Sequence, residues 1–311
     1  MSLLTNRKAC DICGSAGHLE SLFSLSYAEP SLIGPLLTRY GGKVAREDIA
    51  GGSYELLHCQ SCQFLFQRYV PNESLLRKIY TYPPRNIAES LAKRTHASID
   101  YYLENALLVQ KMSALLHGTI PHENPVLDFG MGWGFFLLMA KAHGFPAAGV
   151  EISEERKAFA REMGIQVFPT IAELKGRRFK YIHADQVFEH VPSPQSLLRE
   201  LAPILDDGGV LYISVPDCRL ALVDVRAGKV QLFRKSIRPL EHINGFTHTS
   251  LIKLARKVGL CPLSNFETAK LFFRQVSSTR NGHLLQAAFE TLYRYDKSTS
   301  LYFVRESNPR L

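Results

Sequence analysis

Short apolar runs that alternate with amphipathic segments begin at Pro125, and this alternation limits the fold more than any other feature of the sequence. Most runs that have the composition of a buried strand are followed by a segment with helical spacing of its apolar residues. Parallel strands need helical crossovers, so the pattern predicts an α/β fold with a doubly wound sheet. The predicted strands are 126–129, 147–151, 166–170, 180–185, 210–215 and 301–305, and the predicted helices are 133–143, 154–163, 196–205 and 249–258.

A glycine-rich loop follows the first predicted strand, in the run Asp128-Phe-Gly130-Met-Gly132-Trp-Gly134. Glycines at this place let the backbone turn sharply and approach a ligand closely. The dinucleotide fingerprint needs glycines at its first, third and sixth positions, and the sixth position here is Phe135. The Asp128 carboxylate would repel a pyrophosphate, and it suits a cationic ligand group such as an ammonium.

A second acid, Glu151, stands at the tip of the next predicted strand. An acidic side chain at this place can accept hydrogen bonds from both hydroxyls of a ribose. Together with Asp128 it describes a ligand that has an amino-acid end and a nucleoside end, and S-adenosylmethionine has both. The alternative is a glycine-rich turn that binds no ligand.

Four of the six cysteines form two Cys-x-x-Cys pairs, Cys10 with Cys13 and Cys59 with Cys62. This spacing lets both sulfurs of a pair face one tetrahedral ion at about 2.3 Å. We predict a structural zinc site in a zinc-ribbon-like domain, with a redox pair as the alternative. The 45 residues between Cys13 and Cys59 imply an inserted loop.

The composition, 46% hydrophobic and 21% charged, is that of an ordinary globular protein. No apolar run reaches the ~20 residues that span a bilayer, and the N-terminus lacks a signal-peptide core, so we predict a cytoplasmic protein without membrane partners. The predicted domains are a zinc ribbon over 1–70, a helical linker or lid over 71–118, and a core over 119–311 with an insertion at 219–247.

Residues 119 to about 265 resemble the class I S-adenosylmethionine-dependent methyltransferases, which have a Rossmann-like sheet. The resemblance lies in the glycine loop, in Glu151, and in the run Asp185-Gln-Val-Phe-Glu-His190-Val-Pro, which is similar to the family's fourth motif. It implies that S-adenosylmethionine is the cofactor and that Glu151 binds its ribose. The other cofactor-binding residues that it implies are Asp128, Phe129, Gly130, Gly132, Gly134, Asp185 and Gln186.

The two Cys pairs beside this core are similar to those of the C-methyltransferases of deoxysugar nucleotides and natural products. In that group a Glu-His pair after the fifth strand places a histidine near the sugar as acid or base, and Glu241-His242 matches the pair. The resemblance makes His242 the first candidate base, with Glu241 orienting it, and His190 the second. Pro239 replaces the group's tyrosine, and the group's additional C-terminal domain is not matched.

Some quinone-pathway relatives hold a divalent ion with an acid pair and the histidine of the fourth motif. Gln186 replaces one of those acids, so no catalytic metal is predicted.

Positive charge is concentrated in the last third of the chain, where residues 219–311 hold 16 Lys and Arg against 6 Asp and Glu. Such a field attracts anionic partners. We therefore predict methyl transfer to a small, phosphate-bearing metabolite such as a nucleotide sugar or natural-product intermediate. One alternative is an RNA methyltransferase that uses the zinc module for recognition, and a second is an inactive zinc-ribbon binding protein.

Overall fold

The computed structural model describes residues 2–80, 99–116, 120–174, 176–233, 236–279, 285 and 298–307. The chain divides into two compact units whose segments interleave along the sequence. The first unit consists of Met1–Pro83, Gln186–Leu198 and Val215–Lys257, and the second of Pro84–Asp185, Arg199–Ser214 and Val258–Leu311. The domain boundaries at residues 70 and 118, which are proposed from the sequence, remain a prediction.

The described strands and helices are numbered here in chain order. The strands are β1 (Leu4–Asn6), β2 (Leu19–Ser26), β3 (Ser53–Cys59), β4 (Phe64–Gln67), β5 (Tyr69–Pro71), β6 (Val126–Phe129), β7 (Ala147–Val150), β8 (Gln166–Phe168), β9 (Phe179–Asp185), β10 (Leu205–Pro216), β11 (Asn244–Gly245), β12 (Leu260–Pro262) and β13 (Ser298–Arg305). The helices are α1 (Pro30–Arg39), α2 (Glu73–Tyr80), α3 (Ile99–Leu115), α4 (Phe135–Ala142), α5 (Glu154–Glu162), α6 (Pro194–Ile204), α7 (Arg219–Arg226), α8 (His248–Arg256) and α9 (Asn265–Thr279).

The second unit is built on a seven-stranded sheet in the order β12-β13-β10-β9-β6-β7-β8. β6 pairs in parallel with β7 and β9, β7 with β8, and β9 with β10, whereas β12 and β13 are antiparallel. This arrangement confirms the predicted doubly wound sheet, and each predicted strand and helix overlaps an observed one. The strand order reverses between β6 and β9, and ligands of such sheets bind at this switch point, beyond the carboxyl ends of the strands.

Apolar side chains from the sheet and from α3, α4 and α9 form the core of the second unit. A stack of rings runs through this core, because His183 of β9 lies between Phe136 at 4.2 Å and Tyr212 at 4.9 Å between ring centroids. Burial lowers the pKa of His183 to about 3, so the ring is neutral at physiological pH. Of the helical segment expected within 71–118, residues 81–98 and 117–119 lie outside the described part of the chain.

The first unit contains a four-stranded antiparallel sheet in the order β11-β4-β3-β2 and a two-stranded sheet of β1 and β5. Its core gathers apolar residues from the sheet, α1, α2, α7 and the turn that ends at Leu240. Part of the predicted 219–247 insertion is strand β11, which pairs with β4 through Asn244 opposite Phe66. Among the described residues, no helix combines the length and apolar composition that crossing a bilayer requires.

Candidate cofactor and acid–base sites

The predicted glycine loop connects β6 to α4 at the switch point of the sheet. Gly130, Gly132 and Gly134 all have positive φ, between 57° and 79°. A Cβ on Gly134 would lie 2.9 Å from Cδ1 of Ile165, so this position excludes larger residues by space as well as by conformation. The Gly130 and Met131 N–H groups donate to the carbonyl of Val150, which ties the loop to the end of β7.

Three carboxylates, from Asp128, Glu151 and Asp185, interact electrostatically around this loop. Burial raises the pKa of the Asp128 carboxyl well above its usual range, and the charges of Asp185 and Glu151 raise it further. Such a set is unfavourable without a positive charge nearby. The ammonium and sulfonium of S-adenosylmethionine would supply that charge, so the donor set fits this cofactor.

Glu151 is buried and its carboxylate is bound to the backbone around it. Oε2 accepts from Gly132 N at 3.0 Å, and Oε1 accepts from the N–H groups of Ile152 and Ser153, each at 2.9 Å. Arg156 Nη1 lies 3.6 Å from Oε2. At 3.6 Å Arg156 makes no hydrogen bond, and a carboxylate accepts about four, so one acceptor position remains for a ribose hydroxyl.

The remaining predicted cofactor residues stand at the ends of β6 and β9. Phe129 ends β6 and is half-buried, and Asp185 ends β9 and is exposed. Gln186 follows Asp185 directly and has a φ of 55°, a conformation that residues other than glycine rarely adopt. Strained backbone of this kind is concentrated at functional sites.

The four paired cysteines lie together in the first unit. Sγ of Cys10 is 3.4 Å from Sγ of Cys62, Sγ of Cys13 is 3.5 Å from Sγ of Cys59, and all four sulfurs lie within 4.8 Å of one another. All four cysteines are free thiols. Zn–S bonds of about 2.3 Å in a tetrahedron place sulfurs about 3.8 Å apart. The set therefore fits a zinc ion.

His190 and His242 face each other within the first unit, with ring centroids 4.6 Å apart and planes at 89°. His190 Nδ1 lies 3.0 Å from the carbonyl of Glu241, so this nitrogen carries the hydrogen and Nε2 carries the lone pair. Burial lowers the pKa of His190 to about 4, although the Glu241 carbonyl and carboxylate oppose the shift. The ring is therefore neutral at pH 7.

His242 is buried, and Arg238 Nη2 approaches its Nε2 to 2.5 Å. A guanidinium only donates, so this contact uses the Nε2 lone pair of His242. One oxygen of Glu189 and one nitrogen each of His190 and His242 also lie within 4.8 Å of one another, which is the spacing of metal ligands. The guanidinium of Arg238, which contacts His242, places a positive charge beside these three residues.

The Glu241 carboxylate points to arginines rather than to a histidine. Its Oε1 accepts from Arg39 Nε at 2.5 Å and its Oε2 accepts from Arg39 Nη2 at 2.8 Å, while Arg238 Nη1 lies 3.4 Å from Oε2. Burial opposes ionisation, but the Arg39 hydrogen bonds and the charge of Arg238 lower the pKa of Glu241 overall. The group that orients a histidine is the Glu241 main-chain carbonyl, and the histidine is His190.

Residues 87–265, more than half of the chain, match the family described as "Methyltransferase domain". The chain belongs to this methyltransferase family. The match confirms the resemblance seen in the sequence. Among solved structures, the fold is similar to that of the plantazolicin methyltransferase BpumL in complex with a triazolic desmethylPZN analog and SAH, with a TM-score of 0.51 and 16% identity over 74% of this chain and 94% of that one.

Curated relatives of this methyltransferase-family chain are "Ubiquinone biosynthesis O-methyltransferase" proteins. The protein from Coxiella burnetii is 29% identical over 98 residues, which cover 29% of this chain and 42% of the relative. The protein from Idiomarina loihiensis is 28% identical over 99 residues, which cover 29% and 41%. The chain thus spans less than half the length of the curated relatives that it matches.

The sequence did not reveal several residues that shape the histidine pair of this methyltransferase-family chain. Arg238 has no role in the sequence analysis, although its position four residues before His242 is a usable signal. Glu189 lay inside a recognised motif without an assigned role. Gln67 and Asn244 give no signal in the sequence, because their contacts join distant parts of the chain.

Proposed function

We propose that this protein transfers the methyl group of S-adenosylmethionine to a hydroxyl of a small, anionic metabolite. The observation that carries the proposal is the glycine loop with its three interacting carboxylates, Asp128, Glu151 and Asp185. The family match supports the same reaction class. When bound, S-adenosylmethionine supplies an electrophilic methyl group on a positively charged sulfur, so alignment of the acceptor provides much of the rate acceleration.

The protein's own groups bind and orient the cofactor in this proposal. Asp128 faces the cationic amino-acid portion, and Glu151 binds the ribose through the acceptor position that the three backbone N–H groups leave open. The positive φ values of Gly130, Gly132 and Gly134 make the sharp turn between β6 and α4, and glycines without side chains let a ligand approach this backbone closely. Phe129, Asp185 and Gln186 complete the proposed set.

His190 is the proposed general base, and it takes precedence over His242. Its Nδ1 hydrogen is bound by the Glu241 carbonyl and its ring is neutral, so Nε2 can accept the acceptor's hydroxyl proton. The O–H bond breaks as the new O–CH3 bond forms and the S–CH3 bond breaks, which leaves S-adenosylhomocysteine. The names of the curated relatives, which are O-methyltransferases, support an oxygen acceptor.

Two arginines near His190 support an anionic acceptor. The guanidinium groups of Arg39 and Arg238 both contact the carboxylate of Glu241, while the carboxylate of Glu189 lies 3.7 Å from Nε2 of His190. Tyr80 adds an aromatic edge at 5.9 Å from the ring centroid of His190. A phosphate or carboxylate on the acceptor could share the two arginines with Glu241.

The proposal includes a structural zinc ion held by Cys10, Cys13, Cys59 and Cys62. Four thiolates complete a tetrahedral shell and leave no open position for substrate. The ion would therefore stabilise the first unit without taking part in methyl transfer.

The decisive experiment is calorimetric titration of the purified chain with S-adenosylmethionine, followed by assays with radiolabelled methyl groups. We expect saturable binding near one equivalent, and at least a tenfold loss of affinity in Asp128→Asn because a desolvated charge contact is removed. Asp206→Asn is the matched control, since Asp206 lies in the same unit and pairs with Lys180 on the surface.

The label should appear in small anionic metabolites of a cell extract and should resist nuclease. Label in RNA would contradict the proposed small acceptor and would identify nucleic acid as the acceptor. Absence of binding in the wild-type protein would contradict the proposed reaction altogether.

A further inference from the structure

We infer that Gln67 and Asn244 are positioning residues that hold the two histidine-bearing loops in register. The loops are the His190 loop, residues 188–192, and the His242 turn, residues 238–242. The catalytic meaning of this inference rests on the proposed function, whereas the structural relation does not. Both amides belong to adjacent strands of the sheet that also carries Cys59.

Gln67 ends strand β4 and is fully buried. Its Nε2 donates to the carbonyls of Arg238 at 2.6 Å and His242 at 3.0 Å, and its Oε1 accepts from Leu240 N at 3.2 Å. Leu240 has a φ of 64°, which a branched side chain adopts only when the surroundings impose it. One side-chain amide thus holds the start, the middle and the end of the His242 turn.

Asn244 begins strand β11 and is 1% exposed. Its Nδ2 donates to the carbonyls of Phe188 at 2.8 Å and Val191 at 2.7 Å, and its main-chain N–H donates to the carbonyl of Glu189 at 3.1 Å. These three bonds bracket His190 on both sides. Asn244 therefore performs for the His190 loop what Gln67 performs for the His242 turn.

The two amides are held at a fixed distance by the sheet itself. β11 pairs with β4, and Gln67 N donates to the carbonyl of Ile243, the residue before Asn244. The separation of the two loops is therefore set by a pair of neighbouring strands. This explains how two rings from different loops meet at 4.6 Å.

Arg7, which directly follows strand β1, also holds the His190 loop. Its Nη1 donates to Asn244 Oδ1 at 2.8 Å, and its Nη2 contacts the carbonyls of Val191 and Pro192. Burial lowers the pKa of Arg7 to about 10 even though the charge of Asp11 opposes the shift. Burying a guanidinium against neutral acceptors is costly, and here the cost is incurred at the loop that carries the proposed base.

A purely structural role would also require these amides, because buried carbonyls without donors destabilise a fold. Asn124 separates the two interpretations, since it is equally buried at 1% and donates to the carbonyl of Ile120 at 2.6 Å in the second unit. Asn124→Ala removes a comparable buried amide without touching either histidine loop.

The test is a titration of histidine ring resonances by carbon-13 NMR in the full-length protein, with His190→Gln used for assignment. The variants are Asn244→Ala, the milder Asn244→Ser, Gln67→Ala and the control Asn124→Ala, all of which leave the charged neighbours Glu189, Glu241 and Arg238 in place. In the wild type we expect His190 to titrate near pH 4. Release of its loop admits water, so its midpoint should rise by more than one pH unit in both Asn244 variants and stay unchanged in Asn124→Ala. In Gln67→Ala the His242 resonance should shift.

Equal loss of thermal stability in all variants with unchanged histidine midpoints would overturn the inference. Asn244→Ser keeps one donor, so it provides the result if Asn244→Ala does not fold. Titration with S-adenosylmethionine on the same samples separates the two claims. Absent cofactor binding with shifted midpoints would refute the proposed function alone, and normal binding with unshifted midpoints would refute the positioning role alone.

Discussion

The glycine loop of the second unit and the histidine loops of the first unit are fixed by different means. The glycine loop is held by its own backbone, through positive φ values and main-chain hydrogen bonds to Val150. The histidine loops are held by side-chain amides from far away in the chain, since Gln67 and Arg238 are 171 residues apart. The conformation of a locally determined loop can be predicted from the sequence. The conformation of a loop that is fixed by distant side chains can be recognised only after the unit has folded.

Removal of zinc should have the largest effect, and it should fall on the first unit alone. Structural zinc sites contribute on the order of 10 kcal/mol of apparent binding free energy, so chelation should abolish amide-exchange protection in β2, β3, β4 and β11. Strands β6 to β9 should keep their protection. Exchange mass spectrometry with parallel zinc analysis measures both.

Cys261→Ser is the control for that experiment, because Cys261 lies in the second unit and outside the four-cysteine group. It should retain one equivalent of zinc. A metal-free chain with a fully protected first unit would contradict the prediction and would remove the distinction between the units.

The second prediction concerns the local character of the glycine loop. Gly134→Ala places a Cβ 2.9 Å from Ile165 at a φ of 79°, so it should lower the free energy of unfolding by about 2–4 kcal/mol and weaken S-adenosylmethionine binding. Gly176→Ala is matched, with a φ of 75° and no heavy atom within 4 Å, and should cost only about 1–2 kcal/mol. Denaturant titration decides, and equal losses would show that crowding at the loop has no effect.

The third prediction is a pH dependence in the second unit, and its effect is small within any one pH unit. The folded pKa of His183 is about 3, below its ordinary value of 6.5. The unfolded chain therefore binds more protons between these values, and stability present above pH 6.5 is lost as the pH falls towards 3. His183→Phe, which keeps a ring between Phe136 and Tyr212, should reduce the slope by up to about 1.4 kcal/mol per pH unit. The control His122→Gln changes an exposed histidine and should leave the slope of unfolding free energy against pH unchanged. An unaltered slope in His183→Phe would show that other groups cause the pH dependence.

The sequence was sufficient for the sheet, for the helices beside it and for the glycine loop, because apolar periodicity and glycine spacing are local signals. It also identified the four cysteines that come together as one group. It did not rank the histidines by their contacts, since Arg238 reaches His242 only through a turn with left-handed Leu240. The roles of the amides Gln67 and Asn244 could not be predicted from the sequence, because they arise only from the pairing of β4 with β11.

The pairing of β4 with β11 also has a consequence for the order of events during synthesis. The strand partners Phe66 and Asn244 are separated by 178 residues, so ribosomes working at roughly 5–20 residues per second need on the order of ten to thirty-five seconds between them. During that interval β4 exposes an unpaired edge that carries Phe64 and Phe66, and such edges promote aggregation. Capture of a metal ion by the cysteine pairs, both of which emerge early, would tie the end of β3 to the start of β4 before β11 is synthesised.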